Sequence, residues 1–172
     1  MDDYTTINLK QYLSIFIFIL YNIAMKYYPY DSFKTDTNKL LLKIKEFQPE
    51  SLVGIARGGL TLSHAIAEGL NLRNVQTLST QLYDKTQKRD ALCIKGFCEF
   101  KDKQKVLVID DISDSGDTLK AIMEMLRTKH PKVEFKTATL FYKKTSVFEP
   151  DFWINEANDW IDFFWERDFK IN

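Results

Sequence analysis

One stretch, residues 106–119 with the sequence VLVIDDISDSGDTL, constrains the fold of this chain most strongly. It opens with four apolar, mostly β-branched residues, which suit a strand buried on both faces of a parallel sheet. Asp110 and Asp111 follow where such a strand leaves the sheet, and a polar loop then leads into an amphipathic helix that starts near Thr118. The stretch therefore predicts an α/β fold, with a mostly parallel twisted sheet flanked by helices and a site at its carboxyl edge.

The polar loop, residues 114–118, is composed like a phosphate-binding site. Free backbone N–H groups and the positive end of the dipole attract anions to a helix start. Gly116 allows close approach to the backbone, and Ser115 and Thr118 add hydroxyl donors. Two carboxylates beside this loop indicate a ligand that has a phosphate together with a sugar diol or a metal ion. An ordinary βα turn with two solvated acids is the alternative interpretation.

The same stretch resembles the motif with which type I phosphoribosyltransferases bind 5-phosphoribosyl 1-pyrophosphate (PRPP). That motif has an apolar strand, two acidic residues, two intervening residues, Asp, a small residue, Gly, a variable residue and Thr. Residues 56–60, ARGGL, resemble the pyrophosphate loop of this family, which reads SRGGL there. The glycines can turn amides toward a ligand and Arg57 can contact two phosphate oxygens, although Arg-Gly-Gly alone is more often a tight turn. The family often has a non-proline cis peptide here, which the resemblance places between Ala56 and Arg57.

Residues 83–91, YDKTQKRDA, are polar and show no apolar periodicity, so they are predicted to form a long loop. A solvated hairpin loop is the plain interpretation. The resemblance implies instead a lid over the reaction centre, with Arg89 reaching pyrophosphate oxygens. The lid of relatives often begins Ser-Tyr, whereas this chain has Leu82 before Tyr83, which leaves the role of that serine hydroxyl open.

The segment from Phe148 to Trp165 is rich in aromatic and acidic residues and could be a simple packing flap. Residues 158–161, NDWI, and the pair Trp165 and Glu166 nevertheless resemble the base-binding hood of the bacterial xanthine–guanine and hypoxanthine phosphoribosyltransferases. The resemblance places a small C-terminal hood at about residues 147–168. It also implies that Trp160 stacks on a purine and that the backbone of Ile161 meets the purine edge. Lys143 would donate to the 6-oxo group.

The resemblance thus implies transfer of the 5-phosphoribosyl group from PRPP to a 6-oxopurine, a reaction of purine salvage. Asp114 would act on the N7 proton as general base, and Asp110 would hold the ribose hydroxyls. Mg²⁺ would bind Asp111 directly or through water, with Glu166 a weaker candidate for a second ion. The residues implied to bind PRPP are Arg57, Gly58, Arg89, Asp110, Asp111, Ile112, Ser113, Asp114, Ser115, Gly116, Asp117 and Thr118.

Two other functions are consistent with the pattern. The first is a phosphoribosyltransferase for another acceptor, although Lys143 and Trp160 argue against orotate or uracil. The second is a regulator of the same fold that senses PRPP or nucleotides without turnover. Asp114, Arg57 and Arg89 argue against a regulator, because a sensor has no need of a general base.

The composition fits one globular domain, with 172 residues, 45% hydrophobic residues, 28% charged residues and a formal net charge of zero. Zero net charge gives no reason to expect nucleic acid or an anionic membrane as a partner. Cys93 and Cys98 have no zinc-type spacing with the two histidines, so free thiols in the cytoplasm are expected. The expected partners are PRPP, a purine base and other copies of the chain, in a dimer or tetramer.

Residues 1–24 match nothing in the family. Residues 12–24 are strongly apolar, but these 13 residues fall short of the roughly 20 that span a bilayer. Asp2 and Asp3 argue against a signal peptide. A surface helix or a weak membrane contact is possible, yet we favour an extension that precedes a phosphoribosyltransferase domain of residues 25–172. A protein that starts at Met25 is then expected to be soluble and active.

Hydrophobic periodicity and turn residues predict the remaining elements. Predicted helices cover residues 36–47, 61–70 and 118–129, and predicted strands cover residues 51–56, 75–82, 93–99, 106–109 and 133–142.

Overall fold

The computed structural model describes residues 25–83 and 91–170. The segment 1–24, Arg89 and nearly all of the predicted lid lie outside the described residues. The described chain divides into a larger unit, residues 31–157, and a smaller unit that joins residues 25–30 with residues 158–170. Among the described residues, none of the helices has the length and apolar character to cross a membrane.

The elements follow one another in an alternating β and α order through most of the larger unit. In chain order they are β1 (Met25–Tyr28), α1 (Tyr30–Ile44), β2 (Ser51–Ala56), α2 (Gly59–Gly69), β3 (Val75–Tyr83), β4 (Ala91–Lys95), β5 (Lys105–Ile109), β6 (Ile112–Ser113), α3 (Asp117–Lys129), β7 (Glu134–Ala138), β8 (Phe141–Tyr142), β9 (Asn155–Glu156), β10 (Trp160–Phe163) and α4 (Phe164–Arg167).

The main sheet of the larger unit has the strand order β4-β3-β2-β5-β7. Strands β3, β2, β5 and β7 are parallel, and β4 runs antiparallel to β3 at one edge. The four residues from Val106 to Ile109 are completely buried, as the apolar run predicted for a strand covered on both faces. The mostly parallel sheet predicted from the sequence is therefore confirmed.

Helices cover both faces of this sheet. On one face, Val53, Ile55 and Val108 belong to the same buried cluster as the apolar side of α3, which includes Ile122 and Leu126. Because side chains alternate along a strand, Gly54 faces the other way. A Cβ atom there would lie 2.6 Å from Ser63 Oγ, so α2 covers the second face at close range.

Helix α1 starts earlier and ends earlier than the sequence predicted. It begins at Tyr30, directly after Pro29, because Phe33 is buried together with Thr37, Leu40 and Ile44 on one face of the helix. Beyond Ile44 the chain turns, and Gln48 takes a positive φ of 52° before Pro49. The strand predicted at residues 93–99 also ends early, at Lys95, where Gly96 follows with a φ of 111°.

The strand predicted at residues 133–142 is in fact two strands in different sheets. Strand β7 ends at Ala138 beside β5, and β8 lies in a three-stranded parallel sheet with the order β6-β8-β9. Between them, the N–H groups of Leu140 and Phe141 both donate to the carbonyl of Asp111, at 3.0 and 3.1 Å. This break carries the chain from the main sheet to the loop that follows Asp111.

In the smaller unit, β1 pairs in parallel with β10, and Tyr28 is opposite Phe163. The rings of these two residues pack edge to face at 5.8 Å, and Phe163 stacks on Trp165 at 4.5 Å. The hood predicted at residues 147–168 is divided between the two units. Residues 147–157, including β9, belong to the larger unit, whereas residues 158–168 belong to the smaller one.

Candidate active site

Two loops of the larger unit meet at the carboxyl edge of the main sheet. Strands β2 and β5 are parallel neighbours, with Gly54 opposite Ile109. The turn that contains Arg57 therefore emerges from β2 next to the carboxylates that follow β5. The peptide bond between Ala56 and Arg57 is cis, as the resemblance implied, and Arg57 is exposed.

The glycines of the first loop allow it to contact the second. A Cβ atom on Gly58 would overlap the carboxylate of Asp111, and one on Gly59 would lie 2.9 Å from the Cα atom of Asp110. A larger residue would separate the two loops, so this contact explains why glycine is needed at both positions.

Asp110 and Asp111 occupy different environments although they are adjacent. The Asp110 carboxylate accepts the N–H of Asp111 at 3.0 Å and the N–H of Gly59. Burial and, after it, the charge of Asp111 raise the pKa of Asp110 well above its ordinary value. Asp111 is 8% exposed, and its Oδ1 atom accepts the N–H of Ile112 at 2.8 Å. A cation bound beside these two close carboxylates would offset the repulsion between them.

The predicted phosphate loop, residues 114–118, forms the start of α3. Gly116 has a φ of 85°, in the left-handed region that favours glycine, and its carbonyl accepts the N–H of Lys120. Ser115 Oγ accepts the N–H of Asp117 at 3.3 Å. The loop encloses a cavity of about 90 Å³ that the helix start faces, lined by Asp110, Ile112, Ser113, Asp114, Ser115, Gly116, Thr118 and Leu119.

A wider cleft borders the same loop. It has a volume of about 870 Å³ and shares Ser115 and Thr118 with the small cavity, while β3, β4 and the first turns of α3 supply the rest of its lining. Asp117, which does not line the small cavity, lies in this cleft. The phosphate loop therefore borders both the small cavity and the wider cleft.

Asp114 and Lys143 are brought together by parallel pairing of two short strands. Ser113 of β6 is opposite Tyr142 of β8, and the N–H of Lys143 donates to the carbonyl of Ser113 at 3.0 Å. The next residue of each strand therefore projects beside the other, and Lys143 Nζ lies 2.5 Å from Asp114 Oδ1. The side chain of Lys143 is 26% exposed and that of Asp114 is 48% exposed, so a ligand can reach both.

Both residues were predicted from the sequence, but their contact was not, because 29 positions separate them and the register of β6 and β8 brings them together. Ser146, whose hydroxyl lies 2.9 Å from that of Ser113, was not predicted either. Ser113 itself is 1% exposed, and its hydroxyl lies 2.8 Å from the carbonyl of Phe148, to which it can donate. The sequence offered one indication of a role for Ser146, namely that it is a polar residue in the turn after β8.

Three other predicted residues lie in the smaller unit. Trp160 and Ile161 belong to β10, and Trp160 is exposed there. Glu166 lies in α4. Within the described residues, no cluster of three or more His, Cys, Asp or Glu side chains could hold a metal ion by itself. Where the two loops meet, Asp110 and Asp111 offer two adjacent carboxylates, and such donors suit Mg²⁺ because it takes few carboxylates and keeps several waters.

The sequence and the fold of this chain resemble those of known proteins. Residues 29–170 match the family of phosphoribosyl transferase domains. The chain is 35% identical over 123 residues to a xanthine-guanine phosphoribosyltransferase of Idiomarina loihiensis, which covers 69% of this chain and 72% of that one. The xanthine-guanine-hypoxanthine phosphoribosyltransferase of Helicobacter pylori has a similar structure, with a TM-score of 0.79, 37% identity and coverage of 84% of this chain and 95% of that one. A purine phosphoribosyltransferase from Pyrococcus horikoshii gives a TM-score of 0.76 at 26% identity, with coverage of 87% and 97%.

Proposed function

Because this chain belongs to the phosphoribosyltransferase family, we propose that it transfers the 5-phosphoribosyl group of PRPP to a 6-oxopurine base, with release of pyrophosphate. The observation that carries the proposal is the pair of Asp114 and Lys143 at the mouth of the phosphate loop. One acidic and one basic side chain, both accessible, adjoin a cavity suited to a phosphate.

The loop of residues 114–118 binds the 5′-phosphate in this proposal. Its support is the start of α3, where backbone N–H groups and the helix dipole favour an anion, together with the hydroxyls of Ser115 and Thr118. Asp110 lines the same cavity and is placed to accept hydrogen bonds from the ribose hydroxyls. The phosphate and the sugar are then held by one short segment of chain.

Departure of pyrophosphate leaves positive charge on the ribose ring and negative charge on the leaving group. Arg57 is exposed, and the next residue, Gly58, packs against the Asp111 carboxylate, so the Arg57 guanidinium can contact two pyrophosphate oxygens held near this carboxylate pair. Arg89, outside the described residues, is proposed to join it by resemblance. These cations stabilise the leaving group as the bond to the ribosyl carbon breaks.

The base is recognised by Lys143 and Asp114. A lysine ammonium only donates, so Lys143 matches the 6-oxo acceptor, and Asp114 accepts the proton at the neighbouring N7. The base tautomer that binds carries its proton on N7, and it loses this proton to Asp114 as its N9 forms the bond to the ribosyl carbon and the bond to pyrophosphate breaks. O6 and N7 lie on the same edge of a purine, so two adjacent side chains can contact both. Trp160 is proposed to stack on the purine ring, and the backbone of Ile161 to meet its edge.

Mg²⁺ is the proposed cofactor, bound with PRPP. When bound, it neutralises charge on the pyrophosphate. Asp111 is proposed to hold it through water, since this carboxylate is 8% exposed and packs against the backbone at Gly58. The raised pKa of Asp110 supports a cation beside this pair, because an added positive charge would offset the repulsion between the carboxylates. Glu166 is retained as a candidate for a second ion.

Product analysis tests the proposal. The purified protein is incubated with PRPP, Mg²⁺ and guanine, and the nucleoside monophosphate and pyrophosphate are measured. We expect equal amounts of the two products, none with EDTA, and strongly reduced amounts with Asp114→Asn. Binding of PRPP without nucleotide formation from guanine, hypoxanthine or xanthine would contradict the proposal and favour a regulator.

The free thiols of Cys93 and Cys98 suit a reducing compartment, so the cytoplasm is the proposed site of action. A homodimer or homotetramer is proposed from the family resemblance, and the molar mass in solution tests it.

A further inference from the structure

Residues 143–148, which we call the brace, connect the base-recognising lysine to the phosphate loop. The brace turns back on itself, with the N–H of Ser146 donating to the carbonyl of Lys143 at 2.9 Å. At its start the N–H of Lys143 donates to Ser113, and further along the N–H of Val147 donates to the carbonyl of Ser115 at 2.8 Å. The backbone of the phosphate loop is therefore bonded to the brace on both sides of Asp114.

A network of hydroxyls fills the space between these two backbone contacts. The hydroxyls of Ser146 and Ser113 lie 2.9 Å apart, and they reach the carbonyl of Phe148 at 3.0 and 2.8 Å, respectively. Ser146 Oγ also accepts the N–H of Phe148 at 3.2 Å. Each hydroxyl offers a single proton, which it can donate either to the Phe148 carbonyl or to the other serine, so both side chains are engaged within the protein.

Gly116 rests directly on this network. A Cβ atom at Gly116 would overlap Ser146 Oγ and would lie 2.6 Å from the Phe148 nitrogen. The left-handed turn that opens α3 is therefore packed against Ser146, with no space for a side chain between them. A change in the position of Ser146 must be transmitted to the loop.

We infer that Ser146 is a positioning residue for PRPP, which acts through Ser113 and Gly116 to fix the geometry of the phosphate loop. The inference rests on the proposed role of residues 114–118 in binding the 5′-phosphate. It assigns to Ser146 an effect on PRPP that its neighbour Thr145, exposed in the same turn, should lack.

The test compares Ser146→Ala, Ser113→Ala, the double variant and Thr145→Ala as matched control. The dissociation constant of PRPP is measured by calorimetry with Mg²⁺ present, alongside kcat, the two KM values and the melting temperature. Loss of one neutral hydrogen bond predicts PRPP binding about 2- to 10-fold weaker in Ser146→Ala, with kcat and the KM for the base nearly unchanged. The double variant should lose less than the product of the two single effects, because both hydroxyls act in one network.

If Ser146→Ala binds PRPP as tightly as Thr145→Ala does, the inference is overturned. This holds even if Ser146→Ala has a lower melting temperature. Independent, multiplying effects of the two serines would overturn it as well. If Ser146→Ala does not fold, Ser113→Ala decides in the same way against Thr145→Ala. Absence of PRPP binding by the unaltered protein would instead overturn the proposed function, and this inference with it.

Discussion

The ammonium of Lys143 lies 2.5 Å from the carboxylate of Asp114 because Ser113 and Tyr142 are opposite one another in parallel strands. Each of the two residues is the first after its strand, so the register fixes their separation. A donor and an acceptor side by side would match the 6-oxo group and a protonated N7 of a purine, which lie on one edge of the base. In the proposed function, a bound base would replace the contact between the two side chains by a contact from each side chain to the base.

Lys143→Ala is expected to weaken binding of 6-oxopurines about ten- to more than a hundred-fold, the value of a hydrogen bond from a charged donor. Binding of PRPP should change far less. Because lysine has no acceptor for the amino group of adenine, the variant should also lose most of its preference for guanine over adenine. Competition binding of the two bases to the unaltered and variant proteins measures both effects.

Lys144→Ala is the matched control, since it removes the same charge one residue further along, where Lys144 pairs with Glu156 at 2.8 Å on the surface. It should retain the affinities and the preference. If Lys143→Ala loses affinity for guanine and for adenine equally, Lys143 is a surface charge with no role in recognising the base.

Asp114→Asn is expected to lower kcat about 10²- to 10⁴-fold, the usual contribution of a general base, while PRPP still binds. The amide can accept a hydrogen bond but cannot take up the N7 proton at neutral pH. Steady-state kinetics with saturating PRPP and base give kcat. The exposed Asp102→Asn serves as control and should have normal kinetics. An unchanged kcat with a raised KM for PRPP would identify Asp114 as a binding residue.

Asp110→Asn is expected to stabilise the protein while reducing its activity. In the folded state the pKa of Asp110 is raised, so the folded protein keeps a proton that the unfolded chain releases. Its contribution to the free energy of unfolding therefore falls as pH rises from the ordinary carboxyl pKa of about 4 through the raised value. Without Mg²⁺, melting at neutral pH should be higher for Asp110→Asn, by roughly 2–4 °C per kcal/mol gained. The difference should vanish below about pH 4. A variant that melts at or below the unaltered protein throughout this range would contradict the raised pKa of Asp110 that burial and the Asp111 charge produce.

Gly58→Ala tests the contact between the two loops. The new methyl group would overlap the Asp111 carboxylate, so either the Arg57 turn or the carboxylate must move. Displacement by about 1 Å costs a catalytic site about 10²-fold in rate, and we expect a loss of that order in kcat/KM for PRPP. In Gly69→Ala the methyl group would meet only the flexible end of Leu41, at 2.5 Å, so its kinetics should be normal. Normal kinetics in Gly58→Ala as well would show that the loops move freely.

The sequence predicted the part of the fold that local patterns determine. The apolar runs of β2 and β5 and the helix after Gly116, with its end at residue 129, were recognisable from composition and turn residues alone. The cis peptide before Arg57 was predicted by resemblance and confirmed. The start of helix α1 was predicted too late because most residues in its first turns are polar. Phe33 is buried there only because of tertiary packing, which the local sequence does not reveal.

What the sequence could not predict depends on register between distant segments. The split between β7 and β8 arises where two N–H groups donate to Asp111, a contact across about 30 residues. The contact of Lys143 with Asp114 and the network of Ser113 with Ser146 follow from that split. No local pattern encodes such pairs, because many registers satisfy the same propensities until the whole sheet forms.

Base selectivity is the most direct test of the proposed transfer to a 6-oxopurine. With PRPP and Mg²⁺ saturating, kcat/KM is measured for guanine, hypoxanthine, xanthine, adenine, orotate and uracil. We expect kcat/KM for at least one 6-oxopurine to exceed that for adenine by a factor of about ten or more, the value of one charged hydrogen bond, and we expect the pyrimidines not to react. Preferred use of adenine, orotate or uracil would contradict the proposed transfer.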